Sequence, residues 1–403
     1  MGPYLHGCSA VIGIAGEVAI LNHQHPDLPI SNQAEPESFP QRVARPQQKA
    51  QLPVHSFVAE HEPRYVEQAF ALVLQHPADL VHLSKPRLPA VVIGLLYKLL
   101  WGSAVLVDID DEELCFVGER EPITLDGLKR LCHGLPEPRE LMGPLWTRLA
   151  VDLAQRFDGI TVANRPLQGR YGGTVIPHAR DPEQLRPATA AEKAAARQRF
   201  GVPLEAKVVL FFGTPKRHKG LLPLAQAVAQ LPQALQPLLV VAGGFAPEDA
   251  ELQRELEALL PAQRLVLLGN QPFEQAGQVL ALADMVVLLS EGEVAAFQSP
   301  AKLSDALGMG LPVLISKTPP NLPLIHSNYA QVADEKKLPR QIEELLNHCR
   351  LHNLCSDLRL FFMTNFAFAA VSPNLRKACI KALARTKAGK KSAEPWNIIN
   401  SLS

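Results

Sequence analysis

The residues best suited to chemistry lie in VVLFFGTPKRHKGL, positions 208–221. An apolar run, Val208–Phe212, stops at Gly213, and Lys216, Arg217, His218 and Lys219 follow within six positions. Gly220 then opens an apolar stretch, LLPLAQAVAQL, of helical character. A buried strand that feeds a glycine turn, basic side chains and a helix start has the physics of a diphosphate cradle. Backbone N–H groups at a helix start are free to meet phosphate oxygens, and a lysine adds a point charge. That chemistry predicts a nucleotide-bearing ligand, without yet naming a reaction.

Three other groupings belong beside this one. LLVVAGG, 238–244, ends in Gly243 and Gly244, which either admit a ligand close to backbone or form a plain tight turn. In SPAKLSDALGMGLPVLIS, 299–316, Ser299 is placed to cap a helix whose first turn takes Pro300. Lys302 and Asp305 then share one face of it, as a local ion pair or as ligand contacts. In DIDDEE, five of six residues are acids: Asp108, Asp110, Asp111, Glu112 and Glu113. Such a cluster suits hydroxyl groups, a cationic ligand, a divalent ion or plain solvation.

The elements that must position these residues follow from apolar patterning. Strands are expected at Glu17–Leu21, Val54–Ala59, Asp79–Ser84 and Ala104–Asp108, with helices at Arg64–Gln75 and Ala90–Leu100. A second series has strands at Val208–Phe212, Leu238–Ala242, Leu265–Leu268, Met285–Leu289 and Pro312–Ser316. Helical stretches alternate with them, so two parallel α/β sheets are predicted. The apolar run Leu88–Val107 contains Lys98 and is broken by Pro89 and Gly102, which reads as a buried helix and strand and not as a membrane span. His23–Pro53, rich in Pro, Gln and Asn, reads as loop or a poorly formed helix, 114–145 is weakly patterned, and the segment from Leu338 is helical with a basic end at Lys387, Lys390 and Lys391.

Bulk composition excludes several classes. Forty basic and forty acidic side chains cancel in 403 residues, which argues against a nucleic-acid partner. Six cysteines without C-x-x-C spacing give no zinc signature and fit a reducing compartment. The start, MGPYLHGCSAVIG, lacks the charged segment of a signal peptide. No G-x-G-x-x-G follows a strand, which argues against a nicotinamide dehydrogenase.

With these motifs in place, the chain resembles the retaining family 4 glycosyltransferases of GT-B architecture, well over 158–330 and loosely over 54–113. Gly213 and Lys219-Gly220 reproduce the family spacing G-x5-K-G. The resemblance implies two Rossmann-like domains facing across a cleft, with a helical C-terminal tail: 1–180 for the acceptor, 181–335 for the nucleotide-sugar, and 336–403. It implies that Lys219 binds the donor diphosphate. Thr214 stands where the family usually has arginine, so Arg217 or Lys216 is expected as the second cation. Gly213, Gly243 and Gly244 would border the ligand, the backbone of Leu268, Gly269 and Asn270 would lie near the base, and Ser299 and Lys302 would flank the diphosphate at a helix start. Asp305 matches the family acid that accepts hydrogen bonds from ribose hydroxyls, one methylene shorter. Phe297 occupies the place of a second family acid that touches the sugar, with Glu291 and Glu293 upstream as substitutes or as ordinary loop acids.

On the acceptor side the resemblance implies Asp108, Asp110 and Asp111, with His178 in VIPHARD between the domains as a cleft or phosphate contact or as a hinge residue only, and with His82 and Lys85 at a strand end, His82 being equally a core residue. The expected reaction transfers a sugar from a nucleoside-diphosphate sugar to a carbohydrate, lipid-linked or protein acceptor with retained configuration. No metal and no resident cofactor are expected, since the nucleotide-sugar is itself a substrate. The expected location is cytoplasmic, with peripheral contact at the inner membrane face left open. A non-catalytic nucleotide-binding relative and a nucleotide-sugar epimerase remain as alternatives.

Overall fold

The computed structural model describes residues 9–14, 17–24, 54–58, 64–131, 143–232, 234–235, 237–327, 329–334, 336–347 and 351–389. Expectations concerning 25–53, 132–142, Cys8, Cys132, Cys349, Lys390 and Lys391 fall outside these residues, whereas His23 and Gln24, expected in a loop or poorly formed helix, end the strand Glu17–Gln24 because both pair in register with Val54–Val58. The chain divides into two compact units, 1–175 with 374–403, and 176–373. The helical stretch after 336 is shared between them: Leu338–Asn347 and Leu351–Asn365 belong to the second unit, and Phe368–Gly389 passes from the second into the first. Among the described residues no helix is long and apolar enough to cross a membrane.

Among the described residues the first unit has seven strands: β1 Ser9–Ile14, β2 Glu17–Gln24, β3 Val54–Val58, β4 Leu80–Ser84, β5 Ala104–Ile109, β6 Gly159–Val162 and β7 Thr174–Val175. Their order is β3-β2-β1-β4-β5-β6-β7. The sheet departs from the expected all-parallel pattern, because β1 runs antiparallel to both β2 and β4. The two-residue spacing between β1 and β2 accounts for the first of these pairings, since parallel neighbours need a far longer crossover. The run Leu88–Val107 resolves into the helix Leu88–Trp101, with Pro89 in its first turn and Gly102 as its left-handed stop, followed by the buried strand β5. Lys98, the charge in that run, reaches Asp158 at 2.7 Å.

Among its described residues the second unit has six strands: β8 Val208–Phe212, β9 Leu238–Ala242, β10 Leu265–Gly269, β11 Met285–Leu288, β12 Val313–Ile315 and β13 Gln331–Val332. The order is β10-β9-β8-β11-β12-β13, and every pairing is parallel. All residues of β8, β9, β11 and β12 are buried, as expected of strands covered by helices on both faces. The strand order reverses between β8 and β11. In such sheets ligands occupy the crevice beyond the carboxyl ends at that reversal. Phe212, Gly213 and the basic loop leave the sheet there.

Candidate functional site

At this switch point the loops after β8 and β11 interlock. Residues Arg217–Lys219 form a 3-10 turn, Gly220 is left-handed at φ 64°, and the helix Leu221–Ala229 begins immediately after it. A Cβ on Gly220 would lie 2.3 Å from Leu289 Cβ, the residue that follows β11. Glu291 N–H donates to the His218 carbonyl at 3.0 Å. Glycine at 220 is therefore required twice, by the backbone angle and by the neighbouring chain. Gly213 has φ 148°, and a Cβ there would meet no atom within 4 Å, so the turn opens onto free space.

The other glycine turns assemble against this one. Gly213 N–H donates to the Ala242 carbonyl at 2.9 Å. A Cβ on Gly243 would fall 2.0 Å from the Gly213 carbonyl oxygen. Gly243 bridges to Gly269, and Gly244 N–H donates to Asn270 Oδ1 at 2.8 Å. Gly213, Gly243, Gly244, Gly269 and Asn270, spread over three strand ends, thus form one contiguous edge. Leu268 belongs to the same edge, and its carbonyl accepts from Gln271 Nε2 at 2.6 Å.

The cations of the basic loop are distributed differently from the sequence expectation. Lys216 is buried, with Nζ 2.5 Å from Asp249 and 3.2 Å from Glu248. The Arg217 guanidinium is a fork on Glu255, with Glu251 at 3.6 Å. Both therefore point at the 247–259 segment. Thr214 is exposed, and Lys219, half-buried, directly precedes Gly220. Burial and the neighbouring Lys219 and Lys216 ammoniums lower the His218 pKa, favouring its neutral form.

Around the 301–308 helix the structure corrects one detail. Its N-cap is Pro300 and carries no side-chain cap, so Ser299 lies one residue too early. Pro300 takes an extended ψ of 118°, which keeps Ser299 out of the cap position. Asp305 is completely buried. Its Oδ1 accepts from Arg180 Nε at 2.5 Å, and its Oδ2 lies 3.1 Å from Lys302 Nζ. The Lys302 ammonium also sits 4.0 Å from the centroid of the Phe212 ring, at the end of β8. Phe273, in the loop after β10 and 55% exposed, has Arg180 at 5.8 Å and Lys302 at 6.0 Å from its ring centroid. Neither the Arg180–Asp305 pair nor the position of Phe273 beside Arg180 and Lys302 follows from the sequence pattern. The pair spans 125 positions. An exposed phenylalanine after an apolar strand is the only local signal for Phe273. Asp284, by contrast, is structural: it binds Lys193, Arg197 and the Val208 N–H. His178 is partly buried in the segment that opens the second unit.

In the first unit the acids gather at the carboxyl end of β5, and the chain supplies their counter-charges. Asp110, Asp111 and Glu113 have carboxylate oxygens within 4.8 Å of one another. Lys85 Nζ sits among them at 2.9, 2.7 and 3.4 Å. Burial opposes the charge on Lys85, but these three carboxylates outweigh it and raise the pKa above the usual lysine value. Lys85 is the one non-glycine among the described residues at positive φ, 67°. Arg87 and Glu113 form a buried two-point pair at 2.7 and 3.2 Å. Glu112 is held by Tyr171 at 2.6 Å and Arg170 at 2.8 Å. Behind this cluster, His82 Nε2 lies 3.1 Å from Thr161 Oγ1, which donates to Asp108 Oδ1 at 2.5 Å. Burial pushes the Asp108 carboxyl up to about 7, against the lowering effect of the Thr161 hydrogen bond. Burial also pushes His82 down to about 4. His82 is therefore a partly buried partner of Thr161.

Two α/β units, the second with a glycine-lined switch point, define the GT-B class of fold. Residues 192–357, which lie within the second unit, match the model of the family Glycosyl transferases group 1. The chain is 29% identical over 241 residues to the D-inositol 3-phosphate glycosyltransferase of Corynebacterium jeikeium, covering 56% of this chain and 53% of that protein. It thus spans about half the length of that relative. Among solved structures it is similar to Anabaena HepE in complex with UDP and glucose, with TM-score 0.64, 17% identity, and 83% and 87% of the two chains covered. It is also similar to sucrose-phosphate synthase from Thermosynechococcus elongatus, with TM-score 0.60, 16% identity, and 86% and 92% covered.

Proposed function

We propose that this chain is a glycosyltransferase that moves a sugar from a nucleoside-diphosphate sugar to a nucleophilic acceptor, with retained anomeric configuration. The observation that carries this reading is the construction at the β8–β11 switch point. An open glycine turn, Lys219 and a helix start defined by Gly220 converge where such sheets bind ligands. The matching family model over 192–357 supports it.

In this reading the diphosphate lies over Gly213 and Thr214, and Lys219 takes the charge that grows as the glycosyl bond breaks. Preorganised cations and N–H dipoles aimed at a developing anion are an efficient source of rate enhancement. The base packs along Leu268, Gly269 and Asn270, and the Gly243-Gly244 turn lets it approach backbone. Ser299 and Lys302 flank the phosphates at the start of the 301–308 helix. We assign a UDP-sugar as the donor, by analogy with HepE, whose crystals hold UDP and glucose. The acceptor is a carbohydrate, a lipid-linked sugar or a protein, and Asp108, Asp110, Asp111 and His178 are the candidates to test on that side. The chemistry needs no resident cofactor or metal, and its expected setting is the cytoplasm or the inner membrane face.

The test is release of UDP from a panel of UDP-sugars, with and without sugar acceptors. The reading predicts turnover with at least one donor, and loss of turnover in Lys219→Met. Phe297, in place of an acid, favours a second reading as a nucleotide-binding protein. UDP binding without release or transfer from any donor would establish that reading instead.

A further inference from the structure

Arg180 is fixed before any ligand arrives. Its N–H donates to the Phe366 carbonyl at 2.8 Å, and its carbonyl accepts from Phe368 N–H at 3.1 Å. From this anchored backbone the guanidinium turns to Asp305, with Nε 2.5 Å from Oδ1 and Nη1 3.0 Å from the Ala179 carbonyl. Its Nη2 donates no hydrogen bond to any described residue. Asp305 Oδ2, also fully buried, is within ion-pair range of Lys302 but is not aligned as a hydrogen bond.

Counting charge separates this cluster from the basic loop. Lys216 meets two carboxylates, and so does Arg217. Among the described residues Arg180 and Lys302 share one carboxylate, which leaves one positive charge without a second carboxylate there. That charge stands beside Phe212, one residue before the open turn at Gly213. Positive charge held away from water is costly unless an anion meets it, and a guanidinium with a spare donor binds phosphate oxygens in a planar fork. Thr214 leaves the turn itself without the expected arginine.

We propose that Arg180, aimed by Asp305, is the second cation of the diphosphate site, acting together with Lys302. Asp305 is then a positioning residue and not a ribose ligand. The proposal rests on the reading that this site takes a diphosphate.

Inorganic pyrophosphate tests it without involving base or ribose. Isothermal titration at low ionic strength should show Arg180→Met binding pyrophosphate at least tenfold more weakly than wild type. Arg180→Lys should recover part of the loss, and Arg340→Met, a surface control, should bind as wild type. Because Arg180→Met strands a buried carboxylate, the double variant Arg180→Met with Asp305→Leu provides a folded check, and its binding should be equally weak. Asp305→Asn should weaken pyrophosphate and leave uridine unchanged. The opposite selectivity would make Asp305 a ribose ligand and overturn its positioning role. Wild-type affinity in both Arg180 variants, alongside a loss in Lys219→Met, would overturn the role of Arg180 and leave the site intact. Undiminished binding in Lys219→Met would remove the diphosphate site itself, and the proposal with it.

Discussion

The carboxyl ends of the two sheets make an instructive pair. Both gather charged side chains from loops that follow buried strands. In the first unit each of the four acids Asp110, Asp111, Glu112 and Glu113 meets a cation: Lys85 lies among three carboxylates, Arg87 pairs with Glu113, and Arg170, with Tyr171, holds Glu112. In the second unit some charges are equally satisfied, as Lys216 and Arg217 are, but the switch point keeps an open glycine turn and two cations on one carboxylate. A run of like charge in sequence therefore does not mark a site. What marks one is charge and backbone polarity that the fold leaves without a full set of partners.

The largest effect should come from breaking the closed side of this comparison. Arg87→Met would leave the buried Glu113 carboxylate with only the shared Lys85 at 3.4 Å, and losses on breaking buried pairs run to about 3–5 kcal/mol. Chemical denaturation followed by tryptophan fluorescence measures it, since Trp101 and Trp146 both lie in the first unit. Next is Gly220→Ala, which combines a left-handed backbone with a Cβ driven into Leu289. A cost of about 2–4 kcal/mol is expected, visible as a lowered melting temperature and weaker UDP binding.

A smaller effect sharpens the contrast through pH. The Asp108 carboxyl ionises near 7 in the fold, whereas an unfolded aspartate ionises near about 4. Its contribution to stability is complete below the unfolded value and is lost as pH rises through 7. Asp108→Asn should therefore gain stability relative to wild type as pH is raised from 4 to 7, measured by urea unfolding at each pH. A constant difference across that range would contradict the burial assigned to Asp108. The smallest effect belongs to Arg217→Met, which should leave both melting temperature and UDP affinity unchanged because its fork faces Glu255. A clear loss of UDP affinity would return Arg217 to the site.

Much of the second unit was legible in the chain. Val208–Phe212 and Leu238–Ala242 are continuous apolar runs bounded by turn residues, and both strands have those limits in the fold. The glycine and lysine spacing from 213 to 220 was equally readable, because a turn and a helix start are local events. β1 and the two-residue β13 were not, since neither gives a pattern that stands out without its sheet partners. Partner choice was the main thing hidden. Arg217 lies 38 positions from Glu255, and Arg180 lies 125 from Asp305, so no spacing rule relates them. The tertiary fold decided which cations were consumed by the protein's own acids.

The most direct measurement is a calorimetric titration of UDP into wild type and Lys219→Met under identical conditions. Saturable binding by the wild type, weakened at least tenfold in the variant with an unchanged melting temperature, is the predicted result. Equal affinities, or no binding by a folded wild type to UDP or any other nucleoside diphosphate, would contradict the assignment of the Gly213–Gly220 turn as the donor site.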